Sequence, residues 1–184
     1  MSQTLRIGHR LDHSEIYGPG IRSVFWTQGC TLACKGCWNT QYWPSKGGGE
    51  IEVSQILSEL DNLKGIEGIT LLGGEPLQQS KASLELIKGC KDRGLSVFLY
   101  TGYDLSEFDE TMQSCFDLSD IAVTGRFVQG LRDTTLRWRG SRNQQVHFIS
   151  NTYDESVLQE QTEVECHILP SGEIRMVGYA ESEL

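Results

Sequence analysis

The feature that most constrains this chain is a run of eight residues, Cys30-Thr-Leu-Ala-Cys34-Lys-Gly-Cys37. Three thiols in so short a span can wrap a single metal centre from one tight loop. The surrounding segment, Thr27 to Glu50, is too rich in Gly, Cys and polar residues for regular structure, and a loop this long inside a compact domain is usually functional. The number of ligands matters as much as their spacing. Iron–sulfur clusters usually take four cysteines, and a structural zinc ion also wants four protein ligands. A cubane held by three leaves one iron open to a further ligand. The alternative is a structural zinc site completed by Cys90, Cys115, Cys166 or a histidine, although zinc sites usually present their ligands in pairs. Left empty, three neighbouring thiols would oxidise readily.

Composition sets the setting for that loop. At 184 residues the chain fits one domain, 1–184, long enough to bury a core without disulfides. With 38% hydrophobic and 22% charged residues it has the profile of a folded protein. Its net charge of −9 argues against direct nucleic-acid binding, which needs clustered Lys and Arg. The first residues, MSQTLRIGHRLDHSEIYG, lack the apolar core of a signal peptide, and no stretch reaches the roughly 18 apolar residues of a membrane span. A cytoplasmic protein with no membrane partner is expected. There, clustered cysteines serve more often as metal ligands or catalysts than as disulfides.

Strand-like and helix-like segments alternate, which predicts an α/β fold with mainly parallel strands. Strands are expected at Ile21 to Trp26, Ile69 to Leu72, Leu95 to Tyr100 and Ile121 to Val123; helices at Ser54 to Leu63, Ser83 to Arg93 and Leu105 to Leu118. Each strand runs into small or polar residues: Gly73-Gly74, Thr101-Gly102 and Thr124-Gly125-Arg126. Ligands of parallel α/β folds bind at the carboxyl ends of the strands, so these tips should line one pocket. Beyond Phe127 the pattern weakens, until Glu163 to Ile168 and Glu173 to Val177 flank Pro170-Ser171-Gly172 as an expected hairpin. Lys46-Gly-Gly-Gly49 reads as a mobile connection or a segment that flexes when a substrate enters, and Cys90, Cys115 and Cys166 as small buried residues. The four histidines show no metal spacing.

At Cys30, Cys34 and Cys37, followed by the aromatic Trp38, the chain resembles the radical S-adenosylmethionine superfamily. That resemblance implies a [4Fe–4S] cluster on the three cysteines, with the amino and carboxylate groups of S-adenosylmethionine on the open iron. It also implies contacts to the cofactor from Gly36, Cys37, Trp38, Gly73, Gly74, Glu75, Thr101 and Arg126, the Gly-Gly-Glu segment gripping the methionine amino group and Arg126 the carboxylate. By itself a Gly-Gly turn ahead of a helix is more often only a turn, and Arg126 is equally a solvated surface residue.

Gly18-Pro19-Gly20-Ile21-Arg22, Cys37-Trp38-Asn39, Tyr100-Thr101-Gly102-Tyr103, Gly125 to Gln129, and Trp138-Arg139-Gly140-Ser141 with Asn143-Gln144 narrow the resemblance to glycyl-radical activating enzymes, closest to those of anaerobic ribonucleotide reductase. They span Gly18 to about Val146, leaving Asn151 to Leu184 as an extension. The family implies a small truncated β/α barrel, a glycyl-radical enzyme as partner whose backbone glycine gives up a hydrogen atom, and a flavodoxin or ferredoxin as electron donor. Trp138 and Arg139 are candidates for docking the partner or closing the pocket, against the plainer reading of a packed tryptophan and a structural arginine. Thr124 and Tyr100 depart from the acidic residues of related activating proteins, which puts a monovalent cation site in doubt. Two other functions remain open from the residues: radical chemistry on a peptide, nucleotide or small metabolite, and a non-catalytic metal-binding module.

Overall fold

The computed structural model describes residues 2–159, 164–168, 171–172 and 174–178. Seven strands form one sheet: β1 Thr4–Ser14, β2 Arg22–Thr27, β3 Gly49–Glu52, β4 Gly68–Gly73, β5 Ser96–Tyr100, β6 Ile121–Thr124 and β7 Gln145–Phe148, in the order β3-β1-β2-β4-β5-β6-β7. The four central strands β2, β4, β5 and β6 are parallel, as alternating strands and helices dictate. The flanks correct the expectation of a mainly parallel sheet. β1 pairs antiparallel with both β2 and β3, and β7 pairs antiparallel with β6. Gly49 opens β3 opposite Ile7, and at Gly48, with φ +59°, a Cβ would run into the Ile7 carbonyl oxygen. The Lys46–Gly49 run is thus a close-packed turn into a strand.

Three helices cover one face: α1 Val53–Leu60, α2 Ser80–Asp92 and α3 Glu110–Leu118. Val53, Ile56 and Leu60 of α1, and Ala82, Leu86, Ile87 and Cys90 of α2, recur at helical spacing and are buried against Phe25, Ile69, Leu71, Val97 and Leu99 from the sheet. Cys115 of α3 joins the same core. Leu105 to Leu118 is not one helix. Asp104 caps a short 3-10 turn at Leu105–Glu107, Phe108 is extended, and Asp109 caps α3 by accepting from the Met112 N–H at 2.8 Å. Two aspartates five residues apart each start a new segment.

The opposite, concave face carries the alternate residues. Val24, Trp26 and Leu72 form one cluster there, and Phe98, Ile121, Val123 and Trp138 another. At the end where the parallel strands begin, this face is plugged by Arg22, which is fully buried. Its Nε donates to Thr70 Oγ1 at 2.9 Å, Nη1 to Ser96 Oγ and to the Pro19 carbonyl at 3.0 Å, and Nη2 to the Ile69 and Ser96 carbonyls at 2.6 and 3.1 Å. The Gly18-Pro19-Gly20 turn exists to admit this side chain: a Cβ on Gly18, at φ +139°, would lie 2.6 Å from Arg22 Cδ.

Two further strands, β8 Val164–Ile168 and β9 Ile174–Gly178, pair antiparallel outside the main sheet. Glu163, Pro170 and Glu173, parts of the expected hairpin, lie outside the described residues. Glu165 anchors the pair by accepting from Ser14 Oγ at 2.6 Å and from the Glu15 N–H at 2.7 Å. This puts the Glu165 face inward and leaves Cys166 exposed with Val164 and Ile168, correcting the expectation that Cys166 is buried.

Removing the guanidinium would strand Thr70, Ser96 and two strand carbonyls in an apolar setting, where each unsatisfied group costs about 1–3 kcal/mol. Arg22→Met should therefore lower the unfolding free energy by about 3 kcal/mol or more in urea titration, with the m-value unchanged.

Candidate active site

The carboxyl ends of the parallel strands open into a cavity of about 660 Å³. Its walls come from the loop after β2, the tips of β4, β5 and β6, the segment around Trp138, and Met176 to Gly178 of β9. Cys30, Cys34, Cys37, Trp38, Gly73, Gly74, Glu75, Thr101 and Trp138 all line it, so most of the residues marked in the sequence converge on one space. Gly36, Arg126 and Arg139 do not line it.

The cysteine loop is pinned at both ends. Gly29 and Cys30 donate their N–H groups to the carbonyls of Tyr42 and Trp43 at 2.8 and 3.0 Å, closing the loop on itself. Gln78 holds its first turn, accepting from the Thr31 N–H at 3.0 Å and donating to Thr31 Oγ1 at 2.7 Å. Within the loop Ala33 at φ +48° and Gly36 at φ +77° take left-handed conformations, and the Cys37 N–H returns to the Cys34 carbonyl at 3.1 Å. Such strain in a non-glycine residue is typical of functional loops. Burial pushes the Cys30 and Cys34 thiols above their ordinary value, so loading a metal there must displace thiol protons.

The other cysteines sit elsewhere. Cys90 and Cys115 are buried between sheet and helices, and Cys166 is exposed on β8. None of them lines the cavity. Among the described residues no three or more His, Cys, Asp or Glu side chains are grouped to hold one metal ion. Cys30, Cys34 and Cys37 face one cavity without being drawn together around a point, and as a donor set three thiols suit a cluster with one open position better than a closed four-ligand zinc site.

Gly73-Gly74-Glu75 is pressed against the start of that loop. The Gly74 N–H donates to the Thr27 carbonyl at 2.8 Å and the Glu75 N–H to the Gly29 carbonyl at 2.9 Å. A Cβ on Gly73 would lie 2.5 Å from Trp26 Cα, and one on Gly74 would strike the Gly29 carbonyl oxygen. Both glycines are thus required by the close approach of two backbones. Glu75 is 1% exposed, and its carboxylate accepts from the Leu77 N–H at 2.9 Å, Thr101 Oγ1 at 2.9 Å and the Gly102 N–H at 2.8 Å. It ties the tip of β4 to the tip of β5. Burial pushes this carboxyl up to about 7, against the pull of its three donors and the Arg126 charge.

Arg126 is committed outside the cavity. It pairs bidentately with Glu107, donates to the Gly102 carbonyl at 3.1 Å and stacks over Tyr103. Arg139 turns toward the Gln144 carbonyl. Trp138 is buried on the wall with φ +61°, its ring edge-on to Phe98, and its indole N–H has no partner among the described residues. The polar residues of the motif around it serve as clamps. Gln144 Oε1 accepts from the Gly140 and Ser141 N–H groups at 2.8 and 3.2 Å while its Nε2 donates to the Gly125 carbonyl at 3.0 Å. Asn143 Nδ2 donates to the Arg126 carbonyl at 2.8 Å. Thr124 meets His147 Nε2 at 2.9 Å, and Tyr100 stacks on Phe98.

One wall lies beyond what the motifs marked. His9, Tyr17, Trp26 and Tyr42 form an aromatic side of the cavity, with Tyr17 edge-on to Trp26 and His9 tilted against it. Burial pushes the Tyr17 hydroxyl up to about 12, and it accepts from the Gly178 N–H at 3.2 Å. The alternation Leu5-Arg6-Ile7 at the start of β1 could have marked the strand but not this wall, since Leu5 and Ile7 pack into the helix-side core and the register shifts before His9.

Comparison with known proteins matches residues 16–147 to the family described as 4Fe-4S single cluster domain. The chain is 34% identical to the anaerobic ribonucleoside-triphosphate reductase-activating protein of Vibrio cholerae over 72% of this chain and 90% of that protein. It is equally 34% identical to the protein of the same name from Escherichia coli K12, over 73% and 92%. The pyruvate formate-lyase-activating enzyme of Clostridium pasteurianum is 34% identical over 52% of this chain and 43% of that enzyme. Among solved structures, QueE from Escherichia coli aligns over 54% of this chain and 52% of that chain, at TM-score 0.45 and 16% identity. The family match stops before β8 and β9.

Two substitutions probe this geometry. Gly74→Ala should displace the cysteine loop and reduce iron and sulfide incorporation on anaerobic reconstitution several-fold, measured per folded chain. For Glu75, the folded value near 7 lies above the ordinary 4.5, so stability is fully present below pH 4.5 and is lost as pH rises through 7. Relative to Glu75→Gln, the wild type should lose roughly 3 kcal/mol over that window in paired urea titrations.

Proposed function

Because the chain belongs to the 4Fe-4S single cluster domain family and to the anaerobic ribonucleoside-triphosphate reductase-activating proteins, we propose that it is a radical S-adenosylmethionine enzyme that activates a glycyl-radical reductase. The observation that carries this reading is the convergence of Cys30, Cys34 and Cys37 with Gly73-Gly74-Glu75 on one cavity, with no fourth cysteine among its lining residues. A [4Fe–4S] cluster held by Cys30, Cys34 and Cys37 would supply the one-electron reductive cleavage of S-adenosylmethionine, and with it the hydrogen-atom abstraction from a backbone glycine of the partner.

The chain's own residues do the positioning. Cys30, Cys34 and Cys37 would hold the cluster, on a loop turned back on itself by the left-handed residues Ala33 and Gly36. Gly73 and Gly74, by letting the strand tip lie against the cysteine loop, put their backbone on the cavity wall where the cofactor would bind. Glu75 would offer its carboxylate to the methionine ammonium, and a cation there would favour its ionised form. Thr101 fixes the rotamer of Glu75 through its 2.9 Å hydrogen bond. Trp38 shields the loop, and the aromatic wall of Tyr17, Trp26 and Tyr42 excludes water from the reacting space. Arg126 would reach the methionine carboxylate only by leaving its pairing with Glu107.

The partner's glycine enters as part of an extended loop, and Trp138 on the cavity wall is the docking residue, with Arg139 supporting its segment from outside. A flavodoxin or ferredoxin supplies the electron. The seven-stranded sheet with three helices on one face fits a truncated barrel whose missing wall admits the partner, built as one domain with its core at 18–146 and an antiparallel extension after Asn151. The reading implies a cytoplasmic enzyme, and among the described residues no helix is long and apolar enough to cross a membrane.

The test is an anaerobic activation assay. The reconstituted, reduced protein mixed with S-adenosylmethionine and an anaerobic ribonucleotide reductase should yield 5′-deoxyadenosine and a glycyl signal by electron paramagnetic resonance. Cys30→Ala, Cys34→Ala and Cys37→Ala should each reduce both products at least about a hundredfold. Turnover of S-adenosylmethionine without a glycyl signal on any such reductase would reassign the substrate.

A further inference from the structure

The chain carries a net charge of −9, yet residues 126–142 contain five arginines and one acidic residue, Asp133. Two of the five are neutralised or buried: Arg126 pairs with Glu107, and Arg137 is buried over the Trp138 ring. Asp133 accepts from Thr135 N–H and Oγ1 at 3.1 and 2.7 Å and keeps its negative charge, which offsets one of the arginines. Of the other three, Arg139 is half-buried and turned toward the Gln144 carbonyl, while Arg132 and Arg142 are exposed, with exposed Lys35 from the cysteine loop.

This segment lies directly on that loop. The Arg132 guanidinium stacks over the Trp38 ring at 4.8 Å, and a Cβ on Gly36 would meet Gln129 at 3.0 Å. Lys35 and residues 127–130 line one shallow groove, and the Phe127 N–H points to the Cys34 sulfur. The centre of the face is apolar. Trp38, Val128 and Leu131 are exposed at 40%, 40% and 36%. An apolar centre with a charged rim is the make-up of a protein interface, and exposed Trp and Arg are its commonest anchors.

We propose that this face, built by Lys35, Trp38, Val128, Leu131, Arg132 and Arg142, docks an acidic one-electron carrier protein. The inference rests on the radical reading above, under which each cleavage consumes one electron from outside. Charge complementarity selects the occupant: an acidic protein is repelled by most of a chain with net charge −9 and attracted to this rim. Position selects the function, because Phe127 at the groove turns its N–H to Cys34, and Lys35 and Trp38 of the face directly follow Cys34 and Cys37 in the chain. The carrier gives up one electron and leaves singly oxidised; the oxidised cluster gains that electron, and no bond or proton moves.

Arg132→Glu/Arg142→Glu reverses the rim and replaces no residue that lines the cavity, and the dithionite arm reads any effect of losing the Arg132–Trp38 stack. The probe is a flavodoxin of acidic pI: oxidised for equilibrium binding by titration, and as its hydroquinone for cluster bleaching by stopped flow, with dithionite as a small-molecule reductant in parallel. At low salt, flavodoxin binding and bleaching should both fall at least about tenfold in the variant, while bleaching by dithionite is unchanged and Arg132→Lys/Arg142→Lys behaves as wild type. About 0.5 M salt should erase most of the difference. The proposal is overturned if flavodoxin binding and bleaching are unaffected, if dithionite bleaching falls in step, or if the variant loses binding to the reductase while its reduction by flavodoxin persists. A wild-type protein with no cluster that dithionite can bleach sinks the radical reading itself, and this proposal with it.

Discussion

Everything at the open end of this fold depends on the contact between the tip of β4 and the first residues after β2. Two N–H groups, from Gly74 and Glu75, reach across to the carbonyls of Thr27 and Gly29, and they can do so only because neither Gly73 nor Gly74 has a side chain. The cysteine loop starts one residue later. Its direction is therefore set by a strand tip, a rigid element, and the loop is held again where it returns to Tyr42 and Trp43. Glu75 extends the same junction to β5 through Thr101 and Gly102, so one buried carboxylate couples the three walls that meet around the cysteines.

The two faces of the sheet divide the remaining work. The helix-facing side is apolar and close-packed, and nothing reactive belongs there; Cys90 and Cys115 are fillers in it. The concave side is graded along the strands. It begins with a fully satisfied guanidinium at Arg22, passes through Val24, Phe98 and Ile121, and ends in the cavity. A buried arginine bonded to hydroxyls and carbonyls seals the lower end without an apolar plug. Stability and chemistry are separated by the length of a strand.

The elements with strong local signals were readable from the sequence. β4, β5 and β6 are short apolar runs that stop at glycine or threonine, and α1 and α2 bury the residues their periodicity nominates. The convergence of the strand tips with the cysteine triad followed from the parallel topology alone. β1 escaped because after Leu5 and Ile7 it carries Gly8, His9, Arg10 and Asp12, and its outer half is only partly buried. β7 is four residues long with little apolar character. The apolar stripe Val164, Cys166, Ile168 has the period of a buried face, yet Glu165 and His167 face inward, because Ser14 and the Glu15 N–H supply bonds that no pattern of hydropathy encodes. Arg126 illustrates the same limit: its charge suited an anionic ligand, and Glu107, nineteen residues upstream, reached it first.

The central claim is that three cysteines hold a cubane whose fourth iron is left for the cofactor. Electron–nuclear double resonance on the reduced, reconstituted protein measures this directly, using S-adenosylmethionine labelled with ¹⁵N in the methionine amino group and ¹⁷O in its carboxylate. The account predicts hyperfine coupling of both labels to the cluster, retained in Cys90→Ala, Cys115→Ala and Cys166→Ala. A reduced cluster without coupling to either label, or one that is lost when any of those three cysteines is removed, would contradict it.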